Sequence, residues 1–265
     1  MSNRKLYLSN TSIQTFLQCK QKFKYKYIDK MSVSESNPNK YLSFGNSIHT
    51  TLANFNLIAD SKYKQLDILH NLLRKNWIRD GYESKEEERE FGLRGLDMLS
   101  NYYSKPQDKG KKNLIIEEMI YKNNDDYVLC GKLDKVYIDN KDSVEIIDYK
   151  TGNTVTPVDN LQLSIYLILA KEKLNYYPSK VSLYYLSKNK KITNEIDENS
   201  IKNSNEIVSN LCEKIKKEEN FKLNFNSHCK NNCEYYKVCD ASKIANSSNI
   251  ESLDNLDENF KNFIF

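Results

Sequence analysis

Apolar positions change their period along this chain, and the change divides it. In residues 9–28, SNTSIQTFLQCKQKFKYKYI, the residues Ile13, Phe16, Leu17 and Phe23 recur near helical spacing. Ser9, Thr11 and Ser12 stand ahead of them, and any of the three can cap a helix. After a loop of Ser, Asn and Pro at 31–40, helices are predicted over 42–59, 64–79 and about 85–104. Beyond a Pro/Gly/Lys loop at 105–113 the spacing becomes that of strands, with 114–121, 127–139 and 143–149 forming a meander joined by polar turns. The segment 160–174 is an apolar helix, 180–187 and 190–196 read as another hairpin, and a charged helix covers about 198–219. From 241 the chain is polar and ends in FKNFIF, which is expected to dock on the body. The order predicts one α/β or α+β domain over 1–240 with a central mixed sheet flanked by helices, and of the two α/β is preferred. Its helical lobe would lie at about 42–104, its core at about 114–196, and a tail at 241–265.

The strand 143–149 raises a chemical question. In SVEIIDYKTG, residues i and i+2 of a strand share a face, so Asp148 and Lys150 project together and Tyr149 projects oppositely. An ion pair on an exposed strand end accounts for this equally well taken alone. The preceding strand, however, carries Asp134 in GKLDKV, and antiparallel pairing brings Asp134 beside Asp148. Two neighbouring carboxylates repel unless a cation lies between them, and hard cations such as Mg²⁺ and Mn²⁺ select oxygen ligands. Lys150 can then neutralise charge developing on a phosphate or position the attacking water. Gln162 and Tyr166, four residues apart, are the polar positions on one face of an otherwise apolar helix; they line the same cleft or belong to the core boundary. His49 in FGNSIHTTL is a ligand or a packing residue, and His70 has no evident partner.

Composition adds limits. The 265 residues carry 40 basic and 36 acidic side chains, a net charge of +4, which does not mark a strongly basic nucleic-acid binder. Residues 1–40, with eight Lys/Arg and two acids, offer a local basic surface that either holds phosphates or is a solvated helix face. No apolar run reaches membrane-spanning length, and MSNRKLYLSNTS is not a secretory leader, so an intracellular protein without a membrane partner is expected. Of six Cys, three (Cys229, Cys233 and Cys239) crowd near the C-terminus, which in an intracellular protein points to a metal site rather than disulfides. Cys130 and Cys212 fall within element patterns and are expected to pack as small apolar residues.

Residues 131–152, GKLDKVYIDNKDSVEIIDYKTG, resemble the active-site hairpin of the PD-(D/E)XK nuclease superfamily in its RecB-like branch. FGNSIHTTL is similar to that branch's His-bearing helix, QLSIY to its Gln-x-x-x-Tyr signature, and SNTSIQTFLQCKQKFKYKY to its N-terminal helix. The four motifs come in the family's order and span most of the chain. The resemblance implies a restriction-endonuclease-like core in which His49, Asp134 and Asp148, with the Tyr149 carbonyl, bind Mg²⁺ or Mn²⁺. It implies that Lys150 is the catalytic lysine and that Gln162 and Tyr166 orient substrate. Iron–sulfur members also join one N-terminal Cys to three C-terminal ones around a 4Fe–4S cluster, here Cys19 with Cys229, Cys233 and Cys239.

The spacing here is C-x3-C-x5-C where those members have C-x2-C-x5-C, and Lys20 stands where a Pro often follows the first Cys. Zinc held by four Cys, or with His228 replacing one, is the alternative. The resemblance implies an exonuclease on single-stranded DNA, with a helicase or CRISPR adaptation proteins as partners. The other reading it leaves is a catalytically weak DNA-binding or scaffold subunit. No phosphate-binding GxxxxGK[ST] loop is present, so the chain is not itself a helicase.

Overall fold

In a computed structural model, residues 5–32, 39–154, 160–226, 229–230 and 233–246 are described. His228 and the terminal FKNFIF lie outside the described residues. A six-stranded mixed sheet forms the centre, built from β1 (Leu6–Leu8), β2 (Lys112–Asn123), β3 (Tyr127–Ile138), β4 (Val144–Lys150), β5 (Lys180–Tyr185) and β6 (Lys190–Glu195). β2 runs antiparallel to β3 along one side. On its other side β3 takes two partners, parallel β1 at Tyr127–Leu129 and antiparallel β4 at Lys135–Ile138. β4 and β5 are parallel neighbours joined by the crossover helix α6 (Asn160–Leu174), and β6 closes the edge antiparallel to β5. β1 was not evident from the sequence, since three residues carry no periodicity.

Two apolar layers cover the sheet. α6 is apolar on nearly every side and is correspondingly buried. It packs with α1 (Asn10–Gln18) and α7 (Glu198–Lys216) against a layer that includes Leu133, Ile146, Val181 and Leu183. At Gly131 a Cβ would come within 2.8 Å of Leu169 Cδ1, so the glycine admits α6 this close to β3. The opposite layer joins Ile147, Tyr149 and Tyr184 to α3 (Lys40–Leu57), α4 (Leu66–Asn76) and α5 (Lys85–Ser104). α5 starts where Ser84 caps it and Glu86, Glu87 and Glu88 face its positive end. His70 is paired after all, its Nε2 lying 2.9 Å from Ser100 Oγ. Cys212 is buried in the first layer, while Cys130 is only half-buried.

The helix expected over 9–28 is broken. α1 opens with a reciprocal Ser9/Ser12 capping box and ends at Gln18. Cys19 adopts an extended backbone (φ −159°, ψ 111°), after which α2 (Lys20–Phe23) and a π-helical turn (Lys24–Ile28) resume the winding. Helical propensity runs through the segment, so its break is a tertiary effect at Cys19.

Behind the sheet lies a buried charge network. Lys135 Nζ is 2.8 Å from Asp108 Oδ2 and also donates to Asn56 Oδ1 at 3.0 Å. The Tyr149 and Tyr102 hydroxyls both donate to Asp108 Oδ2. Removing one member of a buried pair leaves the other uncompensated, typically at a cost of about 3–5 kcal/mol. Asp108→Ala should therefore lower unfolding free energy by about 3 kcal/mol or more. Urea denaturation checks this, and a loss under about 1 kcal/mol would refute a paired Lys135.

Candidate active site

The antiparallel ladder between β3 and β4 ends at Lys135–Ile147, one residue short of both Asp134 and Asp148. In place of the next main-chain bond, the Tyr149 N–H donates to Asp134 Oδ2 at 2.8 Å. The two acids stand where the strands part, and both are buried. Asp148 and Lys150 share a face as the strand period requires, with Lys150 Nζ 2.6 Å from Asp148 Oδ2. Gln162 on α6 locks that arrangement. Its Nε2 donates to Asp148 Oδ1 at 3.0 Å, and its Oε1 accepts from Lys150 Nζ at 2.9 Å. The same Nε2 reaches the Tyr166 hydroxyl oxygen at 2.9 Å. Tyr166 is itself buried, and its hydroxyl meets both Gln162 and Asp148. The Tyr149 ring points into the opposite layer, and only its main chain faces the acids.

His49 reaches the acids from α3, with Nδ1 3.1 Å from Asp134 Oδ1. A residue absent from the sequence reading joins them. Among the described residues, ligand atoms of His49, Glu117 and Asp134 all lie within 4.8 Å of one another. Glu117 is on β2 with φ 48°, a left-handed backbone that costs a non-glycine residue about 1 kcal/mol. It also pairs with Lys132. The sequence carries one hint, two adjacent acids in LIIEEMIY. Alternation sends one of them to the covered face, while Glu118 goes to Lys173.

The electrostatics follow from these distances. Burial and then the neighbouring Asp134 raise the Asp148 pKa to about 6, against the pull of Lys150 and His49. Burial opposes charge on His49, but Asp134, with Glu117 and Asp148, outweighs it and lifts the imidazole to about 9. One imidazole and hard carboxylate oxygens form a donor set suited to Mg²⁺ or Mn²⁺, and a divalent charge would relieve the repulsion between the acids.

The four family-like cysteines also converge. Cys229 and Cys233 are each within electrostatic range of Cys19, as Cys239 is of both Cys19 and Cys229. Burial pushes the thiols of Cys229, Cys233 and Cys239 up. The Asn226 N–H points at Cys229 Sγ at 3.4 Å, as a donor to a thiolate would. Lys22 and Lys26 both pair with Glu234, and the Asn224 side chain donates to the Gln18 carbonyl, tying the two chain ends together around the sulfurs.

The family described as the PD-(D/E)XK nuclease superfamily matches residues 7–240. No curated protein matches the sequence. Among solved structures, a protein from Eubacterium rectale described as a putative exonuclease is 10% identical, covering 79% of each chain at a TM-score of 0.44. The structure of SSO0001 is 19% identical, covering 86% of this chain and 96% of its own at a TM-score of 0.33. Among the described residues no helix is long and apolar enough to cross a membrane.

Proposed function

The chain belongs to the PD-(D/E)XK nuclease superfamily, and we propose that it is a DNA exonuclease, acting on single strands with Mg²⁺ or Mn²⁺ and built around a 4Fe–4S cluster. The observation carrying this reading is the Asp134–Asp148–Lys150 group at the point where two strands part, with Gln162 bridging the acid and the lysine.

His49, Glu117 and Asp134 would hold the cation, with Asp148 beside them. A bound divalent ion supplies Lewis acidity toward the phosphodiester and makes water more acidic. Lys150 presents its ammonium where negative charge grows on the phosphate and holds Asp148 ionised. Gln162 fixes both side chains, and Tyr166 fixes Gln162. Incubation of end-labelled single-stranded DNA with the anaerobically purified chain should release short labelled products from an end. Nicking of circular single strands would overturn the exonuclease reading. Activity of the purified chain alone would also separate a self-sufficient enzyme from the nuclease arm of a helicase or CRISPR adaptation complex.

For the cysteines, the meeting of four thiols from the two ends of the chain, each influencing the others' charge, supports a cluster. Metal analysis should therefore give about four irons per chain, and a single zinc would exclude the cluster.

Cation uptake should also move a proton. His49 keeps its charge until pH about 9 in the metal-free protein, and it must become neutral to serve as a ligand. Asp148, with a pKa of about 6, is already mostly ionised near pH 7.5. Calorimetry in buffers of different ionisation enthalpy should show about one proton released per cation near pH 7.5. In His49→Gln the release should vanish; if it persists, His49 is not the source.

A further inference from the structure

Arg94 projects from α5 toward the end of the catalytic strand. Its Nη2 donates to the Thr151 carbonyl at 2.9 Å, one residue beyond Lys150. The guanidinium packs on the rings of Phe44 at 4.8 Å and Phe91 at 5.5 Å. Burial lowers its pKa, and among the described residues no carboxylate lies within ion-pair distance of it. Its Nε is enclosed with no hydrogen-bond partner. Two other cations of this lobe are neutralised by carboxylates, Arg79 by Glu88 and Lys40 by Glu83 and Glu87. A guanidinium has five N–H donors and stays charged, and a peptide carbonyl accepts one donor without balancing the charge.

The surroundings point the same way. A Cβ on Gly45 would meet Thr151 Oγ1 at 3.5 Å, so α3 runs against this segment one turn ahead of His49. The adjoining face is open, with Tyr41 63% and Leu42 64% exposed. An exposed ring beside a cation, as Tyr41 is beside Arg94, is an element that holds single-stranded nucleic acid.

We propose that Arg94 is a substrate-binding residue that holds the phosphate neighbouring the scissile one. The proposal rests on the nuclease reading above. Thr151 directly follows Lys150 at the end of β4, so the guanidinium on its carbonyl stands at the end of the strand that carries Lys150. A phosphodiester there would supply the counter-charge that the fold omits, in the bidentate geometry that arginine favours.

The test uses a fluorescent single-stranded oligonucleotide bound in Ca²⁺, with anisotropy read against salt. Arg94→Met keeps the side chain's stem on Phe44 and Phe91 but removes its charge. It should bind about tenfold more weakly, and its log-affinity slope against log salt should be shallower by about 0.7. In parallel, oligonucleotides carrying one neutral methylphosphonate at successive linkages are bound to the wild type. One linkage should cost about tenfold, and Arg94→Met should be insensitive to that linkage. Equal affinity and slope for the variant, or the same linkage penalty in both proteins, would overturn the subsite alone. A uniform response to every neutral linkage in the wild type would overturn it even if the variant failed to fold. A wild type that binds no single-stranded DNA overturns the nuclease reading, and the subsite with it.

Discussion

Lys150→Ala should cut DNA about 10²–10³ times more slowly than the wild type while keeping its fold, the loss typical when a single charge-stabilising donor is removed. Two effects combine. The ammonium that faces the developing phosphate charge is gone, and so is the cation that holds Asp148 ionised. Burial and Asp134 raise the Asp148 pKa, and Lys150 opposes them. In the variant the pKa should rise beyond about 6, so Asp148 loses its proton only at higher pH. The rising limb of the pH–rate profile should therefore move to higher pH, in addition to the drop in the plateau. Single-turnover cleavage at several pH values separates the two. A rate within about threefold of wild type would remove Lys150 from the chemistry.

Losing Cys19 should do comparable damage to stability. Cys19 and Cys229 are about 210 residues apart, and a link closing a loop that long restricts the unfolded chain by roughly 5 kcal/mol. Cys19→Ala would remove the long-range end of such a link, leaving the Lys22–Glu234 pair, the Asn224–Gln18 hydrogen bond and the Phe23–Phe221 and Tyr25–Tyr235 ring contacts between the chain ends. Stability should fall by more than about 4 kcal/mol and any bound iron should be lost, whereas Cys130→Ala, on β3, should keep both. Thermal melts with parallel iron analysis check this, and equal losses in the two variants would refute the staple.

Much of the fold was legible because period and capping agreed. The bounds of α5 and α6 match the sequence reading, and the β2–β4 meander is off by no more than two residues at each end. What stayed hidden depends on distant partners. Cys19 sits in an uninterrupted helical pattern, yet it adopts an extended backbone beside cysteines some two hundred residues away. Glu117 sits in a strand with no motif, and its role depends on a left-handed backbone that no local preference favours. Arg94 reads as one more surface charge on a polar helix until Thr151 and two phenyl rings surround it. At the candidate site, Asp134, Asp148 and Lys150 were legible from alternation and pairing alone. The sequence did not show that Gln162 bridges acid and base, because the approach of α6 to β4 is set by packing over Gly131.

The strand pairing that stops one residue short of the acids leaves a main-chain N–H bonded to a carboxylate instead of a peptide oxygen. The Tyr149 amide is thereby an internal spectroscopic gauge. Its proton resonance should sit far downfield while Asp134 carries full charge and shift upfield when that charge is shared with a bound ion. A single cross-peak in a nitrogen–proton correlation spectrum would then report occupancy of the site without substrate, label or turnover.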